Sequence, residues 1–220
     1  IGYDKINPIN KQITNSENSL LINSNDSMIF EKDNIVVKSL SATSFPGMWA
    51  QWQCSDLIGF MANDSLRMTC PFLTCFSFYV ENEEKRTAKA KFKQVRLTQQ
   101  ISSPIAKFMP GLVDQKKYMD FTVDKLDKGQ KLATACYSVI IFDTKENINQ
   151  SEQMIKSIYK NNQWTLRTVK YVQLGTFLSA IPFALGDGLS NDYYNTLEMG
   201  RTMVSWTCAN LLPVQGEYKG

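Results

Sequence analysis

Leu132-Ala133-Thr134-Ala135-Cys136-Tyr137-Ser138-Val139-Ile140-Ile141-Phe142 decides the fold, because its residues are apolar or small on both alternating sets. A strand with that pattern is covered on both faces. Pro71 to Val80 carries the same signature, with Phe72, Thr74, Phe76, Phe78 and Val80 on one set and Leu73, Cys75, Ser77 and Tyr79 on the other. It is expected to be a central strand.

Working outward from these two runs, Glu146 to Asn161 is a short amphipathic helix, and Asn161-Asn162 turns the chain into an alternating strand over Trp164 to Tyr171. Ahead of Pro71, Met28-Ile29-Phe30 and Ile35-Val36-Val37 are parted by Glu31-Lys32-Asp33-Asn34, a hairpin signal. Met48, Trp52, Ile58 and Met61 then recur at helical spacing after Ser44-Phe45-Pro46-Gly47, which predicts a helix over about 46–62. From Glu81 to Lys131 the text is helical and highly charged, broken strongly only at Pro104 and Met109-Pro110-Gly111, so a helical hairpin or kinked pair is expected.

The resulting order is β-α-β, helical insert, β-α-β. It predicts an α+β, ferredoxin-like fold: a split βαβ antiparallel sheet with two helices on one face, an inserted helical hairpin over 81–131 and a C-terminal helical segment. Residues 1–26, rich in Asn, Ser and Lys, read as a flexible arm, and 27–172 as the α+β domain. Residues 173–220 hold the apolar run Phe177 to Phe183, a Gly186-Asp187-Gly188 turn and helices near 190–199 and 201–212.

The chain has 220 residues, 43% of them hydrophobic, and 24 basic residues against 21 acidic ones. That is enough to bury a core without staples, and the net charge alone calls for no polyanionic partner. The beginning at Ile1 and the stop at Lys219-Gly220 look like cuts in a longer protein. Neither a signal segment nor a long apolar span is legible. Cys54, Cys70, Cys75, Cys136 and Cys208 form an odd, irregularly spaced set in mostly apolar text and are expected to be reduced core thiols.

Histidine is absent, which removes Ser-His-Asp and Cys-His nucleophile pairs. Cys70 and Cys75 make a C-x4-C pair without partners for a four-ligand zinc site. No window matches G-x-x-x-x-G-K-[ST], so no phosphate-binding loop is expected. Asp120, Asp124 and Asp127 share one helix face, but Lys116, Lys117, Lys125 and Lys128 interleave with them, which favours a salt-bridged face over a cation site. A carboxylate enzyme built on Asp120 and Asp124, or on Asp187 and Asp192, is the outlying reading. Lys85, Arg86, Lys89, Lys91, Lys93 and Arg96 form the one basic block, with Phe92 inside it. Ordinary helix electrostatics is weighed there against contact with an anionic partner, for which Lys85, Arg86, Lys89, Lys93 and Arg96 are the candidates. Trp49, Trp52, Trp164 and Trp206 fall at positions that the periodicity assigns to packing.

Three stretches carry a family resemblance. Ser205-Trp206-Thr207-Cys208-Ala209-Asn210-Leu211-Leu212-Pro213-Val214 ahead of Gly216-Glu217-Tyr218-Lys219-Gly220, Ser65 to Phe72 with its Cys-Pro-Phe, and Phe177 to Ala184 resemble, in order, segments of the TraC-type ATPases of conjugative type IV secretion. In that family an Asn-Leu-(Leu/Met)-Pro segment closes the amino-terminal region shortly before the motor domain. The resemblance implies an oligomeric motor subunit, cytoplasmic and peripheral to the inner membrane, that powers pilus assembly and substrate transfer. ATP and Mg belong to the full-length protein, and no Walker residue can be placed on a position of this chain.

The expected role is therefore a non-catalytic amino-terminal docking module, with no catalytic, cofactor or metal residue of its own. Asn210, Leu211, Leu212 and Pro213 are the candidate interdomain contact. The implied partners are the following ATPase domain and other inner-membrane secretion components, with nucleic acid left open. The alternative is a nucleic-acid or membrane-surface binding module using the basic helix near 85–96.

Overall fold

A computed structural model describes residues 20–23, 25–58, 67–80, 83–104, 109, 111–181, 197 and 199–212, with the side chains of 21–23, 83, 85 and 86 outside that description. The chain divides into two compact units: one built from residues up to Ser77 together with Cys136–Met199, the other from Phe78–Ala135 and Gly200–Leu212.

In the first unit β1 (Leu20–Asn23), β2 (Ser27–Phe30) and β3 (Ile35–Ser44) form an antiparallel meander, with Phe30 opposite Ile35. The four-residue loop between them closes on a backbone bond from Asn34 to Glu31 of 3.4 Å, and Asn34 takes a positive φ of 51°, which Asn tolerates better than most residues. The hairpin expected at Ser27 is therefore present. It gains a third strand from Leu20–Asn23, inside the stretch expected to be an arm; residues 1–19 lie outside the described residues.

Beyond the meander, β3 pairs antiparallel with β5 (Leu132–Thr144), Ser39 opposite Ile140, and with β6 (Thr165–Thr168), Leu40 opposite Thr168. β4 (Phe72–Val80) lies on β5, where the Phe142 N–H donates to the Pro71 carbonyl at 3.0 Å. Taking the four strands of the split βαβ plan alone, the sheet reads β6-β3-β5-β4, with α4 (Ile148–Asn161) as the second crossover helix. The fold is the expected α+β arrangement.

Several details differ from the expectation. β5 is the buried central strand, whereas β4 ends the strand order among the described residues and its side chains are half-buried or exposed. Apolar residues on both sets do not by themselves secure two covered faces, since no side chain of β4 is fully buried. The helix expected over 46–62 is reduced to a 3-10 turn (Gln51–Gln53) running into α1 (Cys54–Ile58), with residues 59–66 outside the described set. The strand over 164–171 contracts to β6, and Tyr171 takes a positive φ of 66°. Over 201–212 the chain begins as β7 (Arg201–Val204) and becomes helical only in α6 (Ser205–Leu211). The expected helix near 190–199 and the Gly186-Asp187-Gly188 turn lie outside the described residues, apart from 197 and 199.

The core of the first unit has an apolar and an aromatic part. Met28, Val37 and Ile140 are fully buried and are flanked by Leu174 and Phe177 of α5 (Gln173–Ser179). Trp164 sits at the centre of the aromatic part, edge-on to Phe45 at 4.9 Å and to Trp49 at 5.2 Å, with Tyr137 at 4.9 Å. The Tyr137 and Tyr159 hydroxyls bond at 3.0 Å, and burial pushes the Tyr137 hydroxyl up to about 12.

The second unit is the expected helical hairpin, α2 (Glu83–Ile101) and α3 (Leu112–Asp127), with Phe78–Val80, Leu132–Ala135, β7 and α6. Leu132 to Ala135 pair antiparallel with Val204 to Arg201. α3 ends in a Schellman motif: Gly129 at φ 85° donates to the Leu126 carbonyl at 2.9 Å, and Gln130 to that of Lys125 at 3.0 Å. Ala90, Leu126, Leu132 and Val204 form its core, with Met119 against them.

Candidate docking surfaces

On α2 the sequence period separates three stripes. Ala90 and Leu97 are buried. Beside them Gln94 donates to Asp120 of α3 at 2.8 Å, and Lys91 pairs with Asp127 at 2.8 Å, so this stripe faces the partner helix. On the far side Phe92 is 71% and Val95 54% exposed. Lys89, Lys93 and Arg96 follow at i, i+4 and i+7, and none makes an ion pair among the described residues. From Lys85 to Val113 the sequence contains no acidic residue. Lys85 and Arg86 lie on the first turns of α2, and their side chains are outside the description.

The outer stripe of α3 likewise shows Tyr118 and Phe121, with the Lys125 ammonium 5.2 Å from the Phe121 ring centre. The three aspartates singled out from sequence are each paired. Lys116 reaches Asp120 at 2.6 Å, Lys128 reaches Asp124 at 2.8 Å, and Lys91 holds Asp127. The hydrogen bonds from Lys116 and Gln94 hold the Asp120 carboxyl below its usual range. Among the described residues no group of three His, Cys, Asp or Glu side chains could hold a metal ion. Asp187 and Asp192 lie outside the described residues.

Of the expected interdomain contact, Leu211 is 2% exposed, Asn210 and Leu212 are half-buried, and Pro213 lies outside the described residues. Trp164 is buried as expected and Trp49 half-buried, but Trp52 is 73% and Trp206 62% exposed. The helical periods that point to packing there are not sustained by the short elements α1 and α6. All five cysteines are free, and all but Cys75 are buried. Burial pushes the Cys208 thiol up to about 11.

The first unit buries a charge cluster that sequence reasoning did not find. Lys38 of β3 pairs with Glu152 of α4 at 2.7 Å and with Asp26 at 3.3 Å, and donates to Asn149 at 2.8 Å. Lys156 and the Thr168 hydroxyl also donate to Glu152. Burial alone would raise the Glu152 carboxyl, but the bonds from Lys156, Lys38 and Thr168 hold it down to about 2. The only available signal was a lysine within a strand otherwise apolar or small. A hollow of about 680 Å³ lies between Pro46–Ala50 and Asn161–Gln163 of the same unit, with no charged residue in its lining among the described residues.

A split βαβ sheet and a helical-hairpin unit whose outer faces carry exposed rings and cations without an ion pair among the described residues together define an α+β protein with surfaces suited to binding. The family model of the TraC protein matches residues 1–185, and the chain belongs to that family of conjugation proteins. It is similar to Protein TraC of Escherichia coli (strain K12), with 25% identity over 166 residues, covering 74% of this chain and 19% of that relative. The match thus takes in about a fifth of the relative's length. Among the described residues, no helix is long and apolar enough to cross a membrane.

Proposed function

We propose that this chain is the amino-terminal assembly and docking module of a type IV secretion ATPase, serving F-type conjugative transfer without catalysing a reaction itself. The family match and the fraction of the relative's length supply the context. The observation that carries the reading is the outer face of α2, where Phe92 and Val95 stand exposed beside Lys89, Lys93 and Arg96. Large apolar side chains grouped in water gain free energy when a partner covers them, and surrounding charges select that partner.

In this reading ATP and Mg are held by the domain that follows in the full-length protein. The partners are that domain, further copies of the protein and inner-membrane transfer components, and the location is cytoplasmic at the inner membrane. The test places Phe92→Ser with Val95→Ser in the full-length protein and measures conjugation frequency, co-purification of transfer proteins and ATP turnover. Loss of the first two with turnover retained is expected. Unchanged conjugation and co-purification would overturn the reading.

Lys89, Lys93 and Arg96, which make no ion pair among the described residues, favour a second reading, a nucleic-acid or membrane-surface contact along the same helix. Steep weakening of binding to oligonucleotides or anionic vesicles as salt rises would support it.

A further inference from the structure

A cavity of about 310 Å³ opens within the second unit, lined by Lys89, Ala90 and Lys93 of α2, Met119 and Thr122 of α3, Leu132 of β5, and Thr202 and Met203 of β7. Four elements converge on it, and among the described residues no acidic side chain lines it. Lys89 and Lys93 are one helical turn apart, about 6 Å along the axis, and neither is ion-paired among the described residues. Like charges at that spacing repel, so an anion between them stabilises both. The Thr122 hydroxyl spends its proton on the Tyr118 carbonyl at 2.8 Å, which leaves the lysines as the positive charge in the lining.

The rest of the lining is apolar and adaptable. Ala90 and Leu132 are buried, Met119 and Met203 are half-buried, and methionine repacks readily around a guest. Lysine acts on an anion as a point charge with freely turning donors, which suits a phosphate, whereas bidentate grip on a planar carboxylate is arginine chemistry. We propose that this cavity binds a phosphate ester carrying a compact apolar group, with the phosphate between Lys89 and Lys93 and the apolar part against Met119, Leu132 and Met203. The site shares Lys89 and Lys93 with the docking reading above but uses the side of α2 turned to β7, so its test turns on the cavity and the docking test on Phe92 and Val95.

Hexyl phosphate titrated into the 220-residue chain carrying 13C-methyl methionine tests it. The Met119 and Met203 methyl resonances should shift saturably, Lys89→Gln with Lys93→Gln should raise Kd at least about tenfold, and Lys117→Gln should leave it unchanged. Unmoved methyl resonances, binding undiminished in the double variant, or hexanoate bound as tightly as hexyl phosphate would each overturn the proposal. Phosphatidic-acid vesicles separate the sources of the ligand. Sedimentation with vesicles that is lost in the double variant supports a lipid headgroup as the phosphate, and binding of hexyl phosphate with no vesicle association supports a soluble ester.

Discussion

The Gln173 side chain completes the backbone hydrogen bonding of Ser39: its Oε1 accepts the Ser39 N–H at 2.7 Å, and its Nε2 donates to the Ser39 carbonyl at 3.3 Å and to the Val169 carbonyl at 2.5 Å. Ser39 lies where β3 passes from its partner β2, last paired at Val37, to its partner β6, first paired at Leu40. A buried backbone N–H at that gap would otherwise lack a partner, and Gln173 is 1% exposed. One amide thus lets a single strand edge serve two partner strands and pins α5 to the sheet.

Replacing Gln173 with Leu keeps the volume but strands the Ser39 N–H. Stability should fall by about 2–3 kcal/mol, the cost of an unsatisfied buried donor together with the lost bonds. Urea denaturation followed by tryptophan fluorescence measures it, and a midpoint within error of the parent would show that the amide is not bearing this role.

The Lys38–Glu152 cluster makes stability depend on acid. The folded carboxyl is held to about 2 against an ordinary 4.5, so its contribution is fully present above pH 4.5 and is lost as pH falls towards 2. A loss of about 2–3 kcal/mol across that window is expected from this group. Glu152→Gln should flatten the window while lowering stability at neutral pH, because Lys38 stays buried with its chief counter-charge gone. Equal acid sensitivity in parent and variant would contradict this assignment.

Gln163 sits at φ 63° just past α4, where its N–H meets the Lys160 carbonyl at 2.9 Å and the Trp164 N–H meets that of Tyr159 at 2.9 Å. This repeats the cap that Gly129 provides for α3, with a side chain in the left-handed region. Gln163→Gly should therefore stabilise the chain by about 0.5–1 kcal/mol, and Gly129→Ala should destabilise it by a similar amount. Thermal melts of the two variants should move in opposite directions.

Phe92 and Leu97 test the division of α2 into outer and inner stripes. Leu97 is 5% exposed, and Leu97→Ala should cost about 2–4 kcal/mol, whereas Phe92→Ser should stay within about 0.5 kcal/mol of the parent. A large loss from the Phe92 change would mean that its ring is buried in solution.

Element types proved more legible than element neighbours. The both-sided apolar pattern of Leu132 to Phe142 was sufficient to find β5, because two covered faces leave no polar alternation. The same pattern does not make β4 a covered central strand: its side chains stay half-buried or exposed, and side-chain alternation says nothing of how many edges are hydrogen-bonded. Arg201 to Val204 reads as helix in the sequence because four residues carry too little periodicity to stand out from the helical text that follows. The strand exists through its ladder with Leu132 to Ala135. Among the candidate contacts, the basic spacing on α2 is legible in the sequence, whereas the exposure of Phe92 inside it is not.

Local regularities were written in the chain itself: the helical insert, the hairpin turn at Asn34, the missing histidine, the run from Lys85 to Val113 without an acid, and the segments that resemble the TraC family. Each depends on residues close together in sequence, where propensity and period act directly. Tertiary structure alone decided that Lys38 meets Glu152, that Gln173 fills the gap at Ser39, and that Lys89 and Lys93 share a cavity with Met203. Those side chains lie tens of residues or more apart, and what joins them is the burial of distant apolar faces, which leaves each enclosed polar group to take whichever partner the packing brings within reach.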